Sequence, residues 1–304
     1  MITWCCLRVL VPMACLTASG DLFPSELVSF FPYESNPVFE GRGPGFWDER
    51  IRERGWILRE DDTYHLWYTG YTKADGVMKL GYATSRDGLT WERYPNNPIY
   101  SEHWVEDMTV VKHDGTYYMF AEGKNDEAYL LTSTDRIHWT HQGKLDIRKV
   151  NGDAISPGAY GTPAVFQEDG TWYLFYERED EAIWLATSKD LKVWTHLQDE
   201  PVLKRGPDAY DQAMLALDQI VKYEGRYYAY YHGLIPDSSP QEWTTAIAVS
   251  IDLVHWEKFE GNPILADDRS SPVLVHDGQQ FRLYTMHPAV RVHFPKKPDL
   301  KTAE

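Results

Sequence analysis

A chain of 304 residues has the length for one large domain or two small ones, with a substantial core. Its 46 acidic and 30 basic residues leave a formal charge of −16, which argues against a nucleic-acid partner and suits a soluble protein handling a neutral or cationic ligand. Twelve Trp and twenty Tyr exclude disorder, collagen and coiled coil, and favour strands and sugar-stacking surfaces.

Residues 1–20 carry one charge, Arg8, and an apolar run from Leu7 to Leu16, with Ala18 and Gly20 shortly before Asp21. The pattern predicts a secretory signal, leaving a mature chain of 21–304 that is secreted or periplasmic. Cys5, Cys6 and Cys15 all fall in that segment, so the mature chain has no disulfide. No later stretch approaches the roughly 20 apolar residues of a membrane span.

From Asp61 onward one unit recurs. A turn and an aromatic strand occur at Asp61-Asp62-Thr63-Tyr64, Asp114-Gly115-Thr116-Tyr117, Asp169-Gly170-Thr171-Trp172, Glu224-Gly225-Arg226-Tyr227 and Asp277-Gly278-Gln279-Gln280, spaced 53 to 55 residues apart. Each is a tight hairpin signal, preceded by a short apolar strand. After the first four comes Ser-x-Asp-x-x-x-Trp, at Ser85 to Trp91, Ser133 to Trp139, Ser188 to Trp194 and Ser250 to Trp256. Ser and Asp close that turn on their own backbone, and the Trp packs between units. Five such units predict an all-β, five-bladed β-propeller with four antiparallel strands per blade. The last blade lacks an outer strand, which the segment around residues 26–40 can supply, closing the ring.

In a propeller the start of each inner strand and the end of the second strand meet on one face. The starts bring Glu53 and Arg54, then Glu106 and Asp107, then Gly161, then Asp218, then Ser270 and Ser271. The ends bring Thr69, Glu122, Glu177, His232 and Thr285. Asp48 and Asp211 each follow an aromatic where a loop would overhang that face. Crowded carboxylates raise one another's pKa, which supplies a proton donor and a base in one pocket, as glycoside hydrolysis requires. Trp104, close to Glu106, could stack on a sugar ring.

The eleven His include no HExxH, and the chain carries no Gly-rich phosphate loop, no GxSxG and no cysteine nucleophile in its mature part. No cofactor and no catalytic metal is expected, although the acidic channel could hold a structural Ca²⁺ near His232 or His287.

In Asp-Gly-x-Tyr-Tyr-x-x-Tyr, Ser-x-Asp-x-x-x-Trp and the run from Gly81 to Trp91, the chain resembles the five-bladed propeller glycosidases of glycoside hydrolase families 43, 32, 62, 117 and 130. The resemblance implies a propeller that acts on carbohydrate. In members similar to family 43 it implies an Asp base in blade one, an Asp in blade two and a Glu donor in blade three. Asp107 matches blade two. Arg54 stands at the expected Asp of blade one, beside Glu53, and Gly161 stands where the donor Glu belongs. The catalytic set must then be redistributed, and Asp48, Glu53, Asp107 and Asp218 are the catalytic candidates. Arg54, Trp104, Glu106, Glu122, Glu177, Asp211 and His232 are the substrate-binding candidates, with Glu177 or His232 as substitute donors. The expected activity is a secreted, inverting glycoside hydrolase cleaving an oligo- or polysaccharide. The alternatives are a carbohydrate-binding propeller without turnover, and a phosphorylase or transferase whose phosphate would fall to Arg52, Arg54 or Arg269.

Overall fold

Each turn in the repeat closes a hairpin, as its residues demand. Asp114 and Gly115 both take positive φ, 47° and 77°, the pairing that a two-residue turn between twisted strands requires. The computed structural model describes residues 21–296. The segment 1–20, read above as a secretory signal, lies outside them. No helix among the described residues is long and apolar enough to cross a membrane.

In blade one the inner strand Arg50–Glu60 pairs antiparallel with Thr63–Tyr71, which pairs with Lys79–Ser85 and then Glu92–Arg93. The same order runs from Glu106–His113 to Thr140–Lys144 in blade two and from Met214–Tyr223 to Glu257–Lys258 in blade four. Blade three departs from four strands. The connection from blade two adds Asp146–Arg148 parallel to its outer strand, and Leu203–Lys204 pairs with its third strand. Blade five holds Val273–His276, Phe281–Thr285 and Arg291–Pro295, and the N-terminal strand Phe30–Pro32 completes it in antiparallel register. The ring is therefore closed as the sequence requires.

The Ser-x-Asp turns form as expected. Ser85 Oγ accepts from Gly88 N at 2.8 Å, and Asp87 Oδ1 accepts from Leu89 and Thr90 N at 2.8 and 2.7 Å. The Trp that follows packs against the preceding blade: Trp139 on Trp67, Trp194 on Phe120 and Trp256 on Phe175, all near 6 Å and edge to face. Such pairs add about 1 kcal/mol each beyond their buried area, so the repeat residue that ends one hairpin also cements the ring.

Candidate active site

The inner strands do not run straight into the channel. Register breaks lie between Arg52 and Trp56, Glu106 and Thr109, Gly161 and Ala164, and Leu217 and Gln219. Within three of these bulges Glu53, Asp107 and Thr162 take φ of 53°, 45° and 44°, and Ser271 takes 54° at the matching place in blade five. A non-glycine residue held there costs about 1–3 kcal/mol, and a bulge re-aims its side chain. The strain turns Glu53 and Asp107 into one pocket, and this device left no mark in the strand pattern.

The pocket is built from carboxyls and cations. Arg52 reaches Glu53 at 2.5 Å and Glu106 at 3.2 Å, while His287 Nδ1 lies 3.2 Å from the other Glu53 oxygen. Trp104 Nε1 donates to Glu106 at 2.6 Å. Asp107 Oδ1 accepts from the backbone N–H of Arg54 at 3.1 Å. His232 Nδ1 lies 3.0 Å from both oxygens of Asp218. Trp243 packs on both imidazoles, 5.4 Å from His232 and 6.2 Å from His287. The sequence reading overlooked Trp243 because nothing local separates it from the packing tryptophans. His287 reads from the sequence only as a cation ligand.

Burial and neighbouring charge split these groups. Burial pushes Glu106 up to about 7 with help from Asp107, and Asp107 up to about 6 with help from Glu53. Burial and the charges of Asp107 and Glu106 hold Glu122 well above the carboxylate range. Burial also opposes ionisation of Glu53, but His287 and Arg52 overcome it and bring Glu53 down to about 2. Burial disfavours a charged His232, yet Asp218 outweighs it and raises the imidazole to about 9. One pocket therefore holds proton-bearing acids, an ionised carboxylate and a cationic imidazole at neutral pH.

Gly161 explains where the blade-three acid went. A Cβ there would collide with the carboxyls of Glu122 and Glu177. Glu122 accepts from Thr162 N at 2.7 Å, and Glu177 accepts from Gly161 N at 3.1 Å and Asp180 N at 2.8 Å. The ends of two second strands thus fill the space that a side chain at 161 would take.

Glu177 gives a test of this burial. Burial pushes it from the ordinary 4.5 up to about 7. The folded state keeps a proton that the unfolded state releases at 4.5, so this group's contribution to stability falls as pH rises from 4.5 toward 7. Glu177→Gln cannot ionise. The gap between wild-type and variant melting temperatures is expected to shift in the variant's favour across that window, and a pH-independent gap would contradict the burial.

Three candidates sit elsewhere than the sequence reading put them. Asp48 is fully buried away from the funnel, paired with Arg42 at 2.6 Å and Arg93 at 3.0 Å, and accepts from Tyr68. Asp211 repeats this in blade four with Lys258 at 2.5 Å. Each packs on a second-strand glycine, Gly70 or Gly233, where a Cβ would meet the Asp side chain. These aspartates fasten loops to blades and do not overhang the funnel. Arg54 is not a substrate ligand either. It is wholly buried, and its guanidinium donates to carbonyls of Asp107, Pro163, Leu217 and Asp218 at 2.5 to 3.0 Å. It ties blades one to four together at the channel, on oxygens of the kind a Ca²⁺ would take.

The model of glycoside hydrolase family 130, described as beta-1,4-mannooligosaccharide phosphorylase, matches residues 46–154, which include Glu53, Glu106, Asp107 and Glu122. The chain is 29% identical over 219 residues to the 1,2-beta-oligomannan phosphorylase of Thermoanaerobacter sp. strain X514, covering 64% of this chain and 69% of that protein. Among solved structures it is similar to a glycosyl hydrolase from Bacteroides ovatus, with TM-score 0.71, 15% identity and coverage of 90% and 95% of the two chains. It is also similar to the beta-1,2-mannobiose phosphorylase of Listeria innocua, with TM-score 0.67, 15% identity and coverage of 87% and 96%. By its repeat motifs, its fold and the matched segment, the chain is a five-bladed β-propeller that resembles the propeller glycosidases.

Proposed function

We propose that this glycoside-active propeller cleaves β-linked mannosides by inverting phosphorolysis, with Asp107 as the proton donor. The observation that carries the reading is the split between Asp107 and Glu53. Asp107 keeps its proton to about 6 and has one oxygen fixed by the Arg54 N–H, which leaves the other for the glycosidic oxygen. Glu53, at about 2, is too weak a base to activate water efficiently. Phosphate is already anionic and needs no base. A phosphate oxygen would attack the anomeric carbon, the bond to the glycosidic oxygen would break, and the Asp107 proton would pass to that oxygen. Arg52, His287 and the cationic His232 supply positive charge, and the matched family and the Thermoanaerobacter relative carry the names of mannoside phosphorylases.

A second reading, hydrolysis, rests on a specific feature. Arg52, His287 and His232 are each already paired with a carboxylate, and acids outnumber cations around the funnel. That balance disfavours an incoming anion. The two readings separate cleanly with β-1,2- and β-1,4-mannobiose, with and without phosphate, followed by ³¹P NMR. Phosphorolysis predicts mannose 1-phosphate and a rate that collapses without phosphate. Mannose as sole product at an unchanged rate would favour water as the acceptor.

A further inference from the structure

We infer that a cavity on the funnel-side rim of blade two is an additional sugar subsite, taking a neutral hexose unit beyond the two that flank the bond being cleaved; this rests on the mannoside reading above. The cavity measures about 300 Å³, at the lower end of the range for small-ligand clefts, and is lined by His103, Trp104, Lys124, Tyr129, His141 and Lys144 among others. Its lining is mostly apolar and aromatic. His103 and His141 stack face to face, 4.2 Å apart and 6° from parallel, and Tyr129 meets both rings. Tyr100 OH holds His103 Nδ1 at 2.6 Å, and Tyr129 OH donates to the Trp104 carbonyl, so the platform is braced from beneath. The aromatic side chains that line the cavity offer an apolar wall to a pyranose, and polar ends such as the Lys124 ammonium suit its hydroxyls.

Position links the cavity to the chemistry. Trp104 lines it and also donates to Glu106, the neighbour of Asp107. Trp104 and Asp107 are three residues apart, so their Cα atoms are separated by no more than about 11 Å, comparable with the length of a disaccharide. A sugar in the cavity can therefore belong to the same oligosaccharide as the bond at Asp107. Burial and the neighbouring His103 hold His141 below the ordinary imidazole range, so its ring stays neutral, as stacking on a sugar prefers. Lys144 is held by Glu127, whereas Lys124 lies exposed at the rim.

Two readouts test this. With the wild type, kcat/KM for mannotriose or mannotetraose is expected to exceed that for mannobiose by about tenfold. His141→Ala and, separately, Lys124→Ala are expected to erase that preference while mannobiose kinetics stay within about twofold. A preference that both variants retain, or none in a wild type that does turn over mannobiose, would overturn the subsite. The second readout does not need turnover. The Asp107→Asn variant is titrated with oligosaccharides of two to five units, mannan-, glucan- and xylan-derived, while the His103 and His141 ring signals are followed by NMR. Shifts with three or more units of a non-mannan series alone would keep the subsite and overturn the mannoside reading. No shift with any series would overturn the subsite.

Discussion

Asp107→Asn is expected to lower kcat by about 10³-fold, within the range for removing a positioned general acid. The loss should appear in kcat more than in KM, because the side chain acts on the breaking bond. Asn keeps an oxygen for the Arg54 N–H, now at 3.1 Å from Oδ1, so folding should survive. The wild-type rate should fall as pH rises through about 6, where Asp107 gives up its proton, and this limb should vanish in the variant. A leaving group that needs no protonation, such as an activated aryl mannoside, should recover much of the lost rate. Full activity of Asp107→Asn on mannobiose would remove Asp107 from the mechanism.

Arg54→Ala is expected to be among the most destabilising single changes in the chain, costing about 3–5 kcal/mol. The guanidinium is wholly buried and serves four carbonyls from three other blades, so its removal strands buried acceptors where water has no access. It also removes the positive charge that lies 3.8 Å from Asp218. Arg54→Lys should recover little, because one ammonium cannot span carbonyls that the planar fork reaches together. A melting temperature lowered by about 10 °C or more would agree with this role. A fully stable Arg54→Ala that binds substrate weakly would instead return Arg54 to the list of ligands.

The architecture was legible because the propeller writes itself into turns. Asp-Gly pairs need positive φ, Ser and Asp must cap their own backbone, and the Trp must fill the gap to the preceding blade, so each unit repeats the same residues at the same spacing. Closure by the N-terminal strand followed from a fifth unit without the Ser-x-Asp hairpin. The face of the site was legible for the same reason, since strand ends must converge there. The pairing of individual acids was not. Asp48 and Asp107 look alike in sequence, yet Arg42 and Arg93 lie against one and Glu53 crowds the other, and those partners come from distant positions. Arg54 misled because a cation beside Glu53 suggests a ligand contact, whereas the bulge points it down the channel. The additions to blade three lay in a connection without the repeat's spacing, so nothing announced them.

The measurement that bears most directly on the account is a crystal structure of Asp107→Asn soaked with β-mannobiose. The account predicts the disaccharide in the funnel, its glycosidic oxygen within hydrogen-bonding distance of the residue 107 side chain, with Glu53 and His232 facing the sugar that leaves with the acceptor. A disaccharide bound away from residue 107, or with its glycosidic oxygen nearest another carboxyl such as Glu122 or Glu177, would contradict it.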